Sequence, residues 1–294
     1  MVYFVCYNRS MNIILTGKPG IGKSTVIGTY IKSFGSTSLW MLTTEVLGES
    51  GQRVGFKSTT STGHKRLVSH KSDIHSDVMI GSNNVDTVAL NEILSIIKDE
   101  VDNTNPDMII LDEIGPIQLS DTTFIDVFDK IFESNINLLA SVHINDERLS
   151  KYRQSPSAIN ISVSETNRNE LPEIIEYIFS HHNGFNSLDN DRKIIINGLA
   201  EHYVETNQTV QLNKLYTNAI PYFIDNQITQ LDSAHWNVLG KHGSYTVTDN
   251  DDQYSCICNL YLGKNEYLHS SGDCSHIQAV MLFRNMAKSS KLVH

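Results

Sequence analysis

The chain has 294 residues and a formal net charge of −10, with 40% hydrophobic and 19% charged residues. A chain of this length can build one large core plus a smaller module, and its ordinary composition excludes wholesale disorder. The acidic balance argues against a surface that binds polyanions non-specifically, although it leaves room for a local basic patch.

We expect neither a membrane-spanning segment nor a signal peptide in this sequence. No apolar run reaches the roughly 18 residues that span a bilayer, and the opening MVYFVCY is too short for a signal peptide. We therefore expect a cytoplasmic protein with no membrane partner, in which clustered cysteines bind metal more often than they form disulfides. The first predicted strand begins at Met11, so residues 1–10 fit a non-native extension or an upstream start.

A glycine-rich turn joins the first predicted strand to the first predicted helix in MNIILTGKPGIGKSTVIGTYIKSFG. The apolar run Ile13 to Leu15 is typical of a buried parallel strand, and apolar residues recur at helical spacing from Val26. Between them lies G-x-x-x-x-G-K-S, whose glycines let backbone N–H groups converge on phosphate oxygens at a helix N-terminus. The flanking elements favour a phosphate-binding loop over a chance match.

The residues of this loop have distinct expected roles. Gly17, Gly20 and Gly22 shape the backbone around the phosphates. Lys23 is expected to contact the β and γ phosphates, and the Ser24 hydroxyl to bind Mg²⁺.

A second buried strand, Met108 to Leu111, leads into two acids in NPDMIILDEIGPIQL. Asp112 then lies at the carboxyl end of the strand, where open α/β sheets bind ligands. We expect Asp112 to hold Mg²⁺ and Glu113 to orient or deprotonate an attacking water. The alternative is a pair of acids that caps the following turn, which the earlier phosphate loop disfavours.

Strands and helices alternate along the first 180 residues. This order predicts an α/β fold with a mostly parallel sheet flanked by helices. The interval from Glu45 to Asn84 breaks the alternation and is rich in Ser, Thr, Gly and basic residues. The helices after the first are predicted over residues 87–101, 121–134 and 168–180.

The ordered motifs TGKPGIGKST, TTEV, RVGFK, LVSH, NNVDT, MIILDEIG and ETNRNEL resemble those of a nucleoside-triphosphatase family, some members of which are regarded as nucleotide kinases. The resemblance covers about residues 11–179. It implies a compact phosphate-loop domain that hydrolyses nucleoside triphosphates with Mg²⁺ and with limited base selectivity. It assigns the triphosphate to Lys23, Ser24 and Thr25, the metal to Asp112, and the water to Glu113.

The resemblance also implies roles outside these two motifs. Asn167 and Arg168 match a family segment that borders the base, although a helix N-cap explains them equally well. Arg53 matches a position that approaches the phosphates. His143 ends the strand after the acidic one, and we interpret it as a hydrogen-bonded surface residue.

The chain departs from the family directly after the acidic pair. Pro116, Ile117 and Gln118 replace Lys, Met and Glu, which leaves the rate of hydrolysis, or its coupling to another event, open. A nucleoside monophosphate kinase needs a basic lid, and the 45–75 loop lacks a dense arginine set. Glu113 favours water as the acceptor, so hydrolysis is the preferred interpretation. A monophosphate kinase and a slow nucleotide-gated switch are the alternatives.

The polar, turn-rich segment HHNGFNSLDN at residues 181–190 predicts a domain boundary. We expect a phosphate-loop domain over 11–180, a helical spacer over 181–232 and a small metal-binding module over 233–294. Apolar residues recur at helical spacing through the spacer until Pro221 interrupts the pattern.

Three of the four cysteines lie together near the C-terminus, followed by a histidine: Cys256, Cys258, Cys274 and His276. A C-x-C hairpin followed by a C-x-H helix start predicts a ββα module with a closed Cys₃His zinc site. Because so small a core needs a staple, zinc binding and folding are expected to be one event. The alternative is a set of scattered buried cysteines.

This pattern, preceded by a tryptophan-bearing strand, resembles the SWIM-type zinc finger over about residues 233–283. The resemblance implies recognition of DNA or RNA, or of a protein. The tail FRNMAKSSKLVH is modestly basic through Arg284, Lys288 and Lys291, whereas residues 249–252 are acidic. Both kinds of partner therefore remain open.

Overall fold

The structure, a computed structural model, describes residues 10–35, 37–181, 188–206, 208–225, 227–240, 243–250, 253–258 and 274–291. The prediction for the N-terminal extension falls on residues 1–9, which lie outside this range. The chain forms two compact units, an N-terminal unit, Met1–Glu176, and a C-terminal unit, Tyr177–His294. The predicted helical spacer and the predicted metal module thus fall within one unit.

The N-terminal unit is built on a nine-stranded sheet in the order β5-β6-β4-β3-β2-β7-β8-β1-β9. Its strands are β1 (Asn12–Thr16), β2 (Leu39–Leu47), β3 (Arg53–Thr60), β4 (Lys65–His70), β5 (Met79–Ile80), β6 (Asn83–Val85), β7 (Met108–Ile114), β8 (Asn137–Val142) and β9 (Ala158–Ser162). The helices that begin in this unit are α1 (Lys23–Ser33), α2 (Thr87–Thr104), α3 (Thr122–Phe132), α4 (Ser150–Arg153) and α5 (Leu171–His181).

Half of this sheet is parallel, and it confirms the predicted α/β fold. Strands β2, β7, β8, β1 and β9 pair in parallel. On β7, Ile109 and Leu111 join the core formed with α2 and α3, whereas Ile110 alternates to the other face and is also fully buried. Burial on both faces explains why this strand reads as a continuous apolar run.

The other half of the sheet is antiparallel and comes from the interval that breaks the predicted alternation. Strands β3, β4, β6 and β5 extend β2 in antiparallel order. Their buried positions include Ser58, Thr60 and Ser69, each at 0% exposure. Because polar residues fill part of the buried face, no apolar run marks these strands in the sequence.

The helices of the N-terminal unit lie close to their predicted bounds. Helix α2 runs three residues beyond its predicted end at residue 101, and α3 is shorter than predicted by one or two residues at each end. Asp86 caps α2 by accepting a hydrogen bond from the Ala89 N–H at 2.9 Å. Asp121 likewise caps α3 by accepting from the Thr123 N–H at 2.8 Å. Such caps satisfy N–H groups that a helix leaves unpaired.

In its described residues, the C-terminal unit contains helices and an antiparallel sheet of four strands. The sheet is larger than the two-strand hairpin that the sequence predicted. A π-helical turn, Leu215–Ala219, precedes Pro221, and it accommodates a proline that lacks an N–H group. The helices are α6 (Asn190–Glu205), α7 (Thr209–Lys214), α8 (Ile220–Ile224) and α9 (Ser275–Lys291), and the strands are β10 (Ile228–Gln230), β11 (His235–Gly240), β12 (Gly243–Asn250) and β13 (Gln253–Cys256).

Within the described residues, no helix has both the length and the apolar character that a membrane crossing requires.

Candidate functional site

The phosphate-loop motif forms a tight turn between β1 and α1. Gly17, Gly20 and Gly22 have φ angles of 140°, 78° and 115°, a region that residues with a side chain rarely adopt. A Cβ atom on Gly17 would also lie 2.9 Å from the Val163 carbonyl oxygen. The three predicted glycines therefore permit a backbone path that other residues would strain.

A buried carboxylate connects this loop to the acidic strand. Asp112, at the end of β7, is 2% exposed, and the hydroxyl of Ser141 on β8 donates to its Oδ1. Burial raises the pKa of Asp112, while hydrogen bonds with Ser141 and Ser24 oppose that rise. The two residues predicted to bind Mg²⁺, Ser24 and Asp112, thus lie close enough to interact.

Lys23 links the phosphate loop to the second acid. Its Nζ donates to the Gly17 carbonyl at 3.2 Å and lies 3.5 Å from Glu113 Oε1. Lys23 is 6% exposed, whereas the Glu113 side chain is 37% exposed. The ammonium group is therefore anchored at the base of the loop, beside a carboxylate that solvent and substrate can reach.

A cavity of about 910 Å³ opens in front of these groups. Its loop side is lined by Gly20, Gly22, Lys23, Ser24 and Thr25, and Glu113 also lines it. The volume lies in the upper part of the usual range for small-molecule sites, roughly 300–1,000 Å³. All the predicted triphosphate contacts except Gly17, which is buried behind the loop, thus reach one cavity.

The antiparallel strands contribute basic side chains to the same cavity. Arg53 lines it as predicted, but its guanidinium pairs with Glu45 at 2.8 Å and stacks on the Phe56 ring at 5.1 Å. Lys71, an exposed residue, also lines the cavity. Its placement depends on the β3–β4 pairing, which the sequence did not predict.

His143 was interpreted as a surface residue, and the structure corrects that interpretation. Its side chain lines the cavity, and its Nδ1 is buried with no hydrogen-bond partner among the described residues. Strand β8 lies between β1 and β7, so its end faces both the phosphate loop and the acids. The position of His143 therefore depends on the order of the strands in the sheet, which the sequence alone did not show.

Gln118, one of the residues that depart from the family pattern, forms part of the cavity wall. Gln118 is 3% exposed; its Oε1 accepts from the Gly115 N–H at 3.2 Å, and its Nε2 donates to Thr43 Oγ1 at 3.0 Å. A neutral amide satisfies a donor and an acceptor here without burying a charge. Gln118 therefore ties the segment after the acids to β2.

Neither Asn167 nor Arg168 lines the cavity. Asn167 is 0% exposed; its Oδ1 accepts from the Ser164 N–H and its Nδ2 donates to the Ser162 carbonyl, both at 2.9 Å. Arg168 donates from Nη1 to the Ile21 carbonyl at 3.2 Å. Of the two interpretations, the geometry favours a structural role: Asn167 closes its own loop and Arg168 supports the phosphate loop.

A family model described as NTPase matches residues 12–176, which is more than half of the chain. The chain belongs to this NTPase family. Similar proteins include the nucleoside-triphosphatase THEP1 of Natranaerobius thermophilus, 31% identical over 164 residues that cover 55% of this chain and 92% of that protein. THEP1 of Methanocaldococcus jannaschii is 29% identical over 174 residues, with 56% and 95% covered.

A solved structure agrees with the family assignment. The crystal structure of THEP1 from the hyperthermophile Aquifex aeolicus matches with a TM-score of 0.51 at 30% identity, and the match covers 57% of this chain and 99% of that one. The match therefore covers nearly the whole Aquifex chain but little more than half of this one. The NTPase family model ends at residue 176, the last residue of the N-terminal unit.

The C-terminal unit, beyond the part matched to the NTPase family, contains a second cluster. One ligand atom from each of Cys256, Cys258, Cys274 and His276 lies within 4.8 Å of every other. Ligand atoms of a tetrahedral zinc site with ordinary bond lengths are about 3.6–3.8 Å apart. Thiol hydrogen bonds from Cys256 and Cys274 lower the pKa of Cys258. The structure thus brings together all four predicted ligands.

The predicted basic tail offers less positive charge for binding a nucleic acid than the sequence indicated. Arg284 forms an ion pair with Asp249, which is buried, and its Nη1 donates to the Tyr254 hydroxyl at 2.7 Å. This arginine therefore stabilises the unit instead of facing a ligand. The side chains of Lys288 and Lys291 lie outside the described residues.

Substitution of Asn167 distinguishes a structural role in its loop from a contact with the nucleotide base. Asn167→Ala should lower the free energy of unfolding by about 1–3 kcal/mol, because it removes the partners of a buried N–H and a carbonyl. The relative KM for ATP and GTP should not change. Chemical unfolding of the full chain and steady-state kinetics with both nucleotides measure these effects.

The control is Glu165→Ala at an exposed position of the same loop, which should change stability by no more than about 0.5 kcal/mol. An altered ATP-to-GTP ratio for Asn167→Ala with unchanged stability would support the base contact instead.

Proposed function

We propose that this chain hydrolyses nucleoside triphosphates to diphosphate and phosphate in the cavity between the phosphate loop and Glu113. The observation that carries the proposal is the 3.5 Å pair of Lys23 and Glu113 in the cavity that the phosphate loop lines, with the buried Asp112 close to Ser24. Membership of the NTPase family supports the same reaction class.

The residues present fit a Mg²⁺ ion. A serine hydroxyl and a carboxylate are hard oxygen ligands, which Mg²⁺ prefers, and Ser24 lies close to Asp112. When bound, Mg²⁺ neutralises charge on the phosphate oxygens. Ser24 and Asp112 are the residues that would hold it.

The chain's own groups divide the remaining work. Loop N–H groups and Lys23 hold the β and γ phosphates, and they stabilise the charge that moves onto the leaving group. Glu113 accepts a proton from the attacking water molecule while the oxygen of that water bonds to the γ phosphorus. The bond from that phosphorus to the β–γ bridging oxygen breaks, and the proton passes from Glu113 to solvent. Of the two acids, Glu113 is the one that water can reach, because Asp112 is buried.

Replacing Glu113 tests the assignment of the water-activating group. Glu113→Gln should bind Mg-NTP with nearly unchanged affinity, because the amide keeps the size of the side chain. It should hydrolyse NTP about 10²–10⁴-fold more slowly, because it cannot accept the proton. Calorimetric binding and a phosphate-release assay measure the two effects.

The matched control is Glu45→Gln, a carboxylate that lines the same cavity but pairs with Arg53. Its effect on kcat should be small. Hydrolysis by Glu113→Gln at the wild-type rate would show that another group activates the water.

A monophosphate kinase is the second candidate, favoured by the presence of Arg53 and Lys71 in the cavity. The Arg53–Glu45 pair neutralises one of these charges, so hydrolysis remains the better-supported reaction. Incubation with Mg-ATP and assorted monophosphates should give phosphate release without labelled diphosphate from the acceptor. Phosphoryl transfer to a monophosphate that is faster than release of phosphate would reverse the assignment. A single slow turnover per bound nucleotide would favour the nucleotide-gated switch.

We also propose that the Cys₃His cluster holds a structural zinc ion in a SWIM-type module. Three thiolates and one imidazole complete a tetrahedron, which leaves no ligand position for substrate. The proposed role of the module is recognition of a macromolecular partner. The Arg284–Asp249 pair removes a free positive charge, which favours a protein partner over DNA or RNA.

Removal of one thiol tests the zinc site. Cys274→Ser should lose bound zinc in metal analysis of the purified protein, because three ligands hold the ion far more weakly than four. Hydrolysis should stay within about two-fold of wild type, since the cysteine lies outside the phosphate-loop site.

The control is Cys6→Ser, which lies outside the C-x-C and C-x-H pattern and should retain the metal. Wild-type protein without stoichiometric zinc would refute the site.

A further inference from the structure

Two tyrosine rings stack on the imidazole of His276. The Tyr245 ring, on β12, lies 4.1 Å from the imidazole centroid with the planes inclined by 22°. The Tyr222 ring, on α8, lies 5.5 Å away and is inclined by only 11°. Near-parallel contacts with two rings restrict how far the imidazole can tilt. Neither tyrosine is a metal ligand, and neither belongs to the cysteine-histidine pattern.

The two nitrogens of this imidazole face different surroundings. His276 Nδ1 lies 3.8 Å from Cys256 Sγ, at the cluster. His276 Nε2 lies against β11, where a Cβ atom on Gly240 would come within 2.8 Å of it. The same Cβ atom would lie 3.0 Å from the Tyr245 ring. Gly240 therefore leaves the space that the Nε2 edge of the ring occupies.

We propose that Tyr222 and Tyr245 are positioning residues that hold His276 so that Nδ1, and not Nε2, binds the metal. This inference rests on the proposed zinc site. The free imidazole can rotate about its side-chain bonds, and ligation selects one orientation. Rings that stack on the imidazole fix this orientation before the metal binds, which lowers the entropic cost of binding.

The stacking also connects the metal site to the helical part of the C-terminal unit. Tyr222 belongs to α8, which lies in the predicted spacer, outside the predicted zinc module. Gln278, two residues after His276, donates from Nε2 to the Gln211 carbonyl of α7 at 2.9 Å. Metal binding at His276 therefore stabilises α7 and α8 as well as the sheet.

Zinc affinity of the full-length protein tests the positioning role. Tyr222→Ala and Tyr245→Ala should each weaken zinc binding by about 10–100-fold, the usual effect of removing a group that orients a ligand. Tyr222→Phe and Tyr245→Phe are matched controls, because they keep the stacked ring, and they should bind zinc as wild type does. Competition with a chromophoric chelator measures all four affinities.

Long-range ¹H–¹⁵N NMR of histidine-labelled, zinc-loaded protein tests the ligating atom without any variant. The His276 signals should show Nδ1 bound to zinc and Nε2 protonated. Zinc on Nε2 would overturn the proposal, as would alanine variants with wild-type affinity. This measurement remains decisive even where an alanine variant fails to fold.

Hydrogen exchange tests the connection to the helices. Zinc loading of the metal-free protein should slow amide exchange in residues 209–224, whereas exchange in residues 12–176 should not change. Unchanged exchange in residues 209–224 would refute the connection. A wild-type protein that binds no zinc would instead refute the metal site itself, so the two failures are distinguishable.

Discussion

The candidate active site depends on a carboxylate that is almost completely withdrawn from water. Asp112 can be buried because the Ser141 hydroxyl donates a hydrogen bond to it and Ser24 lies close enough to oppose the rise in its pKa; without such partners, burial of a charge would be strongly unfavourable. Ser24 lies in the first turn of α1, and Ser141 lies on β8, the strand between the two motif-bearing strands. The Ser141 bond ties the acidic strand to β8, and Ser24 brings the phosphate loop close to the same carboxylate. Lys23 and Glu113 line the cavity beside it.

The antiparallel half of the sheet determines what lies opposite the phosphate loop. It supplies a wall on which Arg53 is neutralised by Glu45 and stacked on Phe56, while Gln118 ties the segment after the acids to β2. A parallel phosphate-loop core supports many reactions, and residues grafted onto it select among them. In this chain one of the two basic side chains of the wall, Arg53, is paired with Glu45, which suits water as the acceptor better than a second anionic nucleotide.

The C-terminal unit combines a small sheet with helices that the sequence assigned to a separate spacer. Trp236 and Phe283 pack edge to face, and Arg284 joins Asp249 to Tyr254. A core of this size gains stability from a covalent or metal staple. The stacked tyrosines connect the cluster to both parts, since Tyr222 lies on α8 and Tyr245 on β12.

The local pattern of residues determined the phosphate loop, the acidic strand, the helices around them and the four clustered ligands. Each depends on short-range periodicity or on residue types at a fixed spacing, which a sequence displays directly.

Only the tertiary structure decided the roles of His143, Lys71, Asn167 and Arg284. Their neighbours come from distant parts of the chain: strand order brings His143 to the acids, the β3–β4 pairing brings Lys71 to the cavity, and Asp249 engages Arg284. Asn167 closes a loop whose conformation no spacing predicts. Side-chain function at such positions depends on long-range pairing, and single-sequence periodicity carries no record of which strands become neighbours.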